Sequence, residues 1–512
     1  MVCYNVLWRE YRRNEKVLKK KVLKQNNLLR LQKRLAVMML ALTLGLGTGC
    51  GKADDGADGA ASSETETLAY GQTNDQTDAG AEEENGQESK KDNDEPYAEG
   101  TYSSDAYDVA EFTAEPRKKT DEEGNRGVYY EIFVRSFADS DGDGIGDLNG
   151  VTEKLDYLKE LGIDGIWLMP ITASDTYHGY SVTDYMAVNP DYGTEDDLKR
   201  LLDEAHSRDM KVIMDLVINH TSINHPWFQA AKSDENSEYR DYYRWVYKTD
   251  KKDCNHLLDK SSWGDMVWHQ EGDFYYYGVF GADMPDLNYN NPDVRQAAKD
   301  AAGHWLELGL DGFRMDAAVH IYGAHEFKQQ EDSEAANINW WNEFAGYCES
   351  INPDVYLVGE VWQDDKVLEN YVQPFNTKFD FAIQQKILNC VQKGMAVPGF
   401  GDSLSVAIEN IQNKYDGVDV NYLNGVFGAN HDQDRIASSV NSLDKARQIA
   451  AVYMTLPGNP YIYYGEELGM YGSKPDEMIR TPFLWGDDST YNTSWEKDDQ
   501  NAETKGLDKQ MK

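Results

Sequence analysis

The chain has 512 residues and carries 50 Lys and Arg against 90 Asp and Glu, a formal net charge of −40. Charge of that sign and size argues against nucleic acid and anionic membrane surfaces as partners, because both would repel it, whereas an uncharged ligand is compatible. The five cysteines (Cys3, Cys50, Cys254, Cys348 and Cys390) include no Cys-x-x-Cys pair, which gives no support for a zinc site or a disulfide framework.

Residues 1–50 read as an export signal. Lys and Arg crowd the first 34 positions, and Leu35 to Gly47 form an apolar run that is too short to span a bilayer. Small residues then lead to Cys50, a layout that resembles a bacterial lipoprotein signal. It implies an extracellular, cell-surface protein (or a secreted one) whose only membrane contact is a lipid on Cys50. Residues 51–110 are Gly, Ala, Ser, Asp, Glu, Asn and Gln with few large apolar side chains, so they cannot offset chain entropy by burial and read as a disordered acidic linker.

From Val128 onward short apolar strands alternate with amphipathic stretches. Strands are expected at Val128–Val134, Gly165–Met169, Lys211–Ile218, Gly312–Met315, Val355–Val361, Phe379–Ala382, Gly425–Ala429 and Pro460–Tyr464. Helices are expected at Val151–Leu161, Glu195–Met210, Asp293–Leu308, Leu404–Tyr415 and Asp444–Leu456. The second of these places Leu198, Leu201, Leu202 and Ala205 on one face. Eight strands alternating with helices imply a parallel sheet closed into a (β/α)8 barrel, an α/β fold. Residues 111–220 would be its first part and 289–512 the remainder. Residues 221–288, too long for an ordinary loop, would be a small domain inserted after the third strand. Beyond the eighth strand there is no clear eighth helix and no β-sandwich, which reads as a barrel cut short at its C-terminus.

After the first strand, Asp139-Ser-Asp141-Gly-Asp143-Gly-Ile145-Gly-Asp147 spaces carboxylates two apart with glycines between. Oxygen ligands at this spacing wrap a hard cation, although Gly150 at the twelfth position excludes an EF-hand. Four later strand ends carry polar clusters: Asp215-Leu-Val-Ile-Asn-His220, Arg314-Met-Asp316-Ala-Ala-Val-His320, Glu360-Val-Trp362 and Asn430-His431-Asp432. Groups at the C-terminal ends of barrel strands converge on one point. Two carboxyls in different protonation states are what cleavage of a glycosidic bond needs. Arg314, two residues before Asp316 on the same side of a strand, is expected to hold that carboxyl ionised as a nucleophile. Glu360, between apolar residues and Trp362, is expected to be raised and to act as the acid. Asp432 would grip sugar hydroxyls, and His220 and His431 would donate to them.

These clusters resemble, in order, the four signature regions of the α-amylase family of glycoside hydrolases. Gly165-Ile-Trp-Leu-Met-Pro170, Met284-Pro-Asp-Leu-Asn288 and Gly458-Asn-Pro-Tyr-Ile-Tyr-Tyr-Gly-Glu466 extend the likeness over about Val128 to Trp485. The resemblance implies a retaining mechanism with Asp316 as nucleophile, Glu360 as acid/base and Asp432 as transition-state stabiliser. Tyr180 would stack on the sugar, helped by His178, Asp215, His220, Arg314, His320 and His431. It also implies Ca2+ on the side chains of Asp139, Asp141, Asp143 and Asp147 and the carbonyl of Ile145. Tyr177-His178-Gly179-Tyr180 and Asp316-Ala-Ala-Val-His320 resemble endo-acting α-amylases, although Val319 stands where those commonly have Lys or Arg. The expected partner is therefore an α-1,4-linked glucan, such as starch, glycogen or a maltodextrin, bound by a monomer. An α-glucosidase, oligo-1,6-glucosidase or neopullulanase-type enzyme remains the alternative reading. A non-catalytic glycan-binding protein would lack one of the three carboxylates, and all three are present.

Overall fold

The computed structural model describes residues 125–248, 257–322, 331–363, 365–393, 403–419, 422–486, 488–498 and 500–501, with Val109 and the segment 112–117. The expected signal with Cys50, and all of the expected linker but Val109, lie outside the described residues.

Eight parallel strands form one sheet: β1 Tyr129–Ile132, β2 Gly165–Leu168, β3 Lys211–Leu216, β4 Gly312–Met315, β5 Tyr356–Gly359, β6 Thr377–Lys378, β7 Gly425–Phe427 and β8 Asn459–Tyr463. The order is β6-β5-β4-β3-β2-β1-β8-β7. A parallel bridge from Phe379 to Gly425 joins the two ends. This is the expected (β/α)8 barrel.

Side chains alternate across each strand, and the burial follows that period of two. Tyr130, Ile132, Ile166, Leu168, Val212, Met214, Phe313 and Met315 belong to the large outer core between strands and helices. Tyr129, Trp167, Ile213, Tyr356, Val358, Phe379, Phe427 and Tyr461 form a separate cluster, the plug inside the barrel. Tyr129 stacks there between Tyr356 and Tyr461, with ring centroids 5.0 and 5.3 Å away. Two residues further along the same strands the inward positions turn polar: Glu131 after Tyr129, Asp215 after Ile213, Arg314 after Gly312 and Glu360 after Val358. The apolar plug is thus the floor of a polar site at the C-terminal rim.

Gly312 is where this floor needs a missing side chain. A Cβ there would lie 1.9 Å from the carbonyl oxygen of Tyr356, so only glycine lets β4 and β5 pair at this register.

Two elements differ from expectation. The sixth strand is Thr377–Lys378, not Phe379–Ala382, and Phe381 already begins the helix Phe381–Lys393. Asp380 is the reason: its Oδ1 accepts from Ile383 N at 2.8 Å, a helix cap inside what reads as an apolar strand. The helix expected over Val151–Leu161 is two, Leu148–Glu153 and Leu155–Leu161. Lys154 leaves helical geometry at the join, and its buried chain reaches Asp488 at 2.6 Å and the face of Tyr491 at 3.3 Å. By contrast Glu195–His206 starts in a capping box between Thr194 and Asp197 and buries Leu198, Leu201, Leu202 and Ala205.

Between β3 and β4 lie the helix Pro226–Ser233 and a three-stranded antiparallel sheet of Trp245–Tyr247, Trp268–Glu271 and Phe274–Tyr277, the last in the middle. Val246, Val267, Trp268, Tyr277 and Val279 give this segment its own small core. After β2, Thr172–Ser174 pairs antiparallel with Val182–Val188, and the loop between them carries Tyr177 to Tyr180.

Candidate active site

Arg314 is the centre of the polar layer. Its Nη1 donates to Asp215 Oδ1 at 2.8 Å and to Asp316 Oδ1 at 2.6 Å, and its Nη2 pairs with Glu360 Oε1 at 2.9 Å. The side chains of Arg314 and Asp215 are wholly buried, whereas those of Asp316, Glu360 and Asp432 keep 10, 13 and 16% exposure. Three carboxyls therefore reach the open face, over a sealed ion pair.

The turn after β4 links two of them. Ala317 takes a left-handed backbone (φ 49°), and its N–H donates to Glu360 Oε2 at 2.9 Å. A non-glycine residue in this region costs about 1 kcal/mol or more. Here it lies between the carboxyl of Asp316 and that of Glu360.

On the other wall the Tyr180 hydroxyl donates to Asp215 Oδ2 at 2.9 Å, and that hydroxyl oxygen of Tyr180 lies 2.6 Å from His431 Nε2. His431 Nε2 is 3.0 Å from Asp432 Oδ2, and its Nδ1 is 2.5 Å from Glu131 Oε1. Arg480 Nη2 donates to Asp432 Oδ1 at 3.1 Å, and Arg480 Nε to the carbonyl of His431 at 3.0 Å. His178 and Tyr180 stack with centroids 5.8 Å apart, and His220 Nε2 lies 3.1 Å from the carbonyl oxygen of Tyr180. His320 packs against the rings of Trp263 and Phe280 from the segment between β3 and β4, and Phe280 also touches His220. Asp215, Tyr180, Arg314, Asp316, Glu360, His431 and Asp432 thus form one bonded cluster, with His178, His220 and His320 along its wall.

Burial sets the proton affinities. It raises Glu360 above the usual carboxylate range, helped by Asp316 and Asp432 and opposed by Arg314. It raises Asp316 too. The expectation that Arg314 would hold Asp316 down is corrected here, because one guanidinium is divided among three buried carboxyls and desolvation outweighs its share. Asp215 is pushed up to about 7 by the same loss of water. Asp432 runs the other way: burial raises it, but His431, Arg480 and Lys474 together bring it well below the carboxylate range. Burial lowers His178 and His220 to about 4, so both are neutral rings at pH 7.

In the loop after β1, ligand atoms of Asp139, Asp141 and Asp147 lie within 4.8 Å of one another. Asp143 lies outside that group. It is exposed, and its Oδ1 accepts from Ile145 N at 2.7 Å, as Asp141 Oδ1 accepts from Asp143 N at 3.1 Å. Ile145 packs against the main core.

Two residues of the cluster were missed by sequence reasoning. Glu131 is hidden in Tyr-Tyr-Glu-Ile, which reads as ordinary strand; its signal is a carboxylate on the inward side of a fully buried strand. Arg480 lies in the stretch after β8, where no periodicity tells which way a side chain points.

The sequence pattern of the alpha-amylase catalytic domain matches residues 131–512. Alpha-amylase 3 of Dictyoglomus thermophilum is 46% identical over 373 residues, covering 72% of this chain and 69% of that protein. The 4-alpha-glucanotransferase of Thermotoga neapolitana is 37% identical over 367 residues, covering 70% of this chain and 76% of that one. Among solved structures, the alpha-amylase from H. orenii has a TM-score of 0.67 at 44% identity, covering 76% of this chain and 78% of that chain. With the barrel and the carboxylate cluster already in place, these likenesses have one reading: the chain belongs to the alpha-amylase family of glycoside hydrolases.

Proposed function

We propose that this enzyme cleaves α-1,4-glucosidic bonds of starch, glycogen or maltodextrins with retention, using Asp316 as nucleophile, Glu360 as acid/base and Asp432 as transition-state stabiliser. The observation that carries it is the convergence of these three partly open carboxyls on one face, two held by Arg314 and the third by His431 and Arg480. Asp316 and Glu360 are both raised by burial and ion-paired to one guanidinium, so the pair readily retains one proton between them. Asp316 takes a hydrogen bond from Arg314 Nη1 and keeps the charge, and Glu360, ion-paired to Nη2 without one, keeps the proton. Asp316 attacks the anomeric carbon while Glu360 protonates the departing oxygen, giving a glycosyl-enzyme. Glu360, now a carboxylate, takes a proton from water as that water displaces Asp316. Asp432 stays ionised throughout and favours the positive charge that builds on the sugar ring.

Tyr177-His178-Gly179-Tyr180 and Asp316-Ala-Ala-Val-His320 support action on α-1,4 bonds within a chain. A sugar hydroxyl in place of water would make the same intermediate a glycosyl donor, the reaction named by the 4-alpha-glucanotransferase relative. Asp139, Asp141 and Asp147 supply hard oxygens suited to calcium, which would act there by fixing the loop after β1. The Cys50 signal supports a surface lipoprotein. Soluble starch, maltoheptaose and isomaltose distinguish these readings. New reducing ends from starch, with the α-anomer first by NMR and little cleavage of isomaltose, are expected. Cleavage of isomaltose but not starch, or a β-anomer first, would overturn the proposal.

A further inference from the structure

Glu131 is 1% exposed and His431 is wholly buried, yet neither is one of the three carboxyls that do the chemistry. A buried carboxylate costs several kcal/mol unless a partner meets it. Glu131 meets one ring nitrogen of His431, Nδ1, at 2.5 Å. The other, Nε2, faces Asp432 Oδ2 at 3.0 Å and the Tyr180 oxygen at 2.6 Å. The single proton of Tyr180 is directed to Asp215 Oδ2, so its oxygen accepts from Nε2. A neutral imidazole has one N–H and would turn a lone pair toward one of the two carboxylates. A ring with both N–H groups donates to Glu131 and to Tyr180 and sets its positive charge 3.0 Å from Asp432 Oδ2.

We propose that Glu131 is a positioning residue that keeps His431 protonated at both ring nitrogens, so that Nε2 presents a donor to the sugar-binding face shared by Asp432 and Tyr180. This deepens, and rests on, the assignment of the cluster as a glycosidase centre. The acidic groups facing the ring are Glu131 from β1, which burial raises against the pull of His431, and Asp432 on its own loop. Behind Tyr180 stand Asp215 from β3 and Asp316 after β4, with Arg314 within range of Glu131 and Arg480 on the His431 carbonyl. Burial opposes the cation, and Asp432 with Glu131 overcomes it, moving the ring up to about 10. Glu131 fixes the far nitrogen without touching substrate.

The test uses the full chain labelled with 15N-histidine, with long-range 1H–15N spectra at pH 8 and His431→Asn to identify the signal. In wild type both His431 nitrogens should carry protons, and in Glu131→Gln only one. On maltoheptaose, the ratio of kcat/KM at pH 8 to that at pH 6 should fall about tenfold in Glu131→Gln, one pKa unit being a factor of ten. Glu131→Asp should recover part of that loss. A neutral ring in wild type, with the proton on Glu131, would overturn the proposal. So would a doubly protonated ring in Glu131→Gln with an unchanged profile. Should Glu131→Gln not fold, Glu131→Asp carries the same comparison, and a ring and pH profile identical to wild type there would overturn the proposal. The spectra need no turnover, so wild type that fails to cleave starch would count against the proposed function and not against this inference.

Discussion

At Arg314 one buried guanidinium faces Asp215, Asp316 and Glu360, so no one of these carboxyls has a private counter-charge. Counting Glu131, Asp432 and Asp476, six carboxyls share the charge of Arg314, His431, Arg480 and Lys474. Such an excess of negative groups suits a reaction whose ring becomes positive. Replacing Glu360 with Gln should cost about 10³-fold on starch, where the leaving sugar needs a proton. An α-maltosyl fluoride needs little such help, so glycosyl-enzyme formation should survive much better. Its breakdown lacks a base, and azide should restore turnover and yield the α-configured azide. Equal loss on both substrates with no azide rescue would show that Glu360 is not the acid/base. The raised carboxyl of Glu360 was legible as a carboxyl in an apolar run. The behaviour of Asp316 was not, because sequence shows the Arg314 beside it and not the two competitors.

At the scale of single elements, the loop after β1 is bound by its own amides. Asp139 accepts from the N–H of Gly142 and of Gly144 at 2.6 and 2.8 Å, and Asp147 caps the next helix through Gly150 N at 2.7 Å. Calcium bound only by the folded loop adds about 2.7 kcal/mol at a hundred times its dissociation constant. Chelator should therefore lower the unfolding midpoint by several degrees, and Asp141→Ala should abolish that sensitivity while Asp143→Ala keeps it. An equal response in both variants would refute the three-carboxylate assignment. The helix Pro226–Ser233 has a different dependence, on pH. Its cap is His225, whose Nδ1 accepts from Trp227 N at 3.1 Å and which burial lowers to about 4. The unfolded chain takes up that proton below about 6.5 and the folded one does not, so this contribution is present above 6.5 and lost as pH falls toward 4. Asp215, raised to about 7, has the opposite slope, since between about 4 and 7 the folded state holds the extra proton. A comparison of variants separates the two. His225→Asn keeps an acceptor with no proton to gain, and its midpoint should fall less between pH 6.5 and 4.5 than that of wild type. An identical fall would exclude His225 as a source.

Across the whole molecule, residues 491–495 join two places far apart in sequence. Asp139 N donates to the carbonyl of Tyr491 at 3.0 Å and Ser494 N to that of Gly144 at 2.8 Å. Trp495 stacks on Tyr177 with centroids 5.3 Å apart, and its Nε1 donates to Ser136 Oγ at 2.8 Å. The acidic loop and the loop bearing His178 and Tyr180 thus share one brace. Trp495→Ala should cost about 2 kcal/mol, less than a fully buried ring, and raise KM more than it lowers kcat. An unchanged midpoint and KM would mean that the brace carries no load. This contact was invisible in sequence, since neither partner lies in a periodic element, and Thr377–Lys378 was misplaced because two residues show no period at all. The barrel was legible for the opposite reason. Strands such as Gly165–Leu168 and Lys211–Leu216 are buried on both faces, and helices such as Glu195–His206 have a single apolar stripe. Bond cleavage through a sugar linked covalently to Asp316 can be seen on the protein itself. Glu360→Gln is incubated with α-maltosyl fluoride, denatured, digested and mapped by mass spectrometry. A maltosyl group on the peptide containing Asp316, absent when Asp316→Ala is added, is the predicted result, whereas a label on Asp215 or Asp432, or no label together with a β-configured first product from wild type, would contradict it.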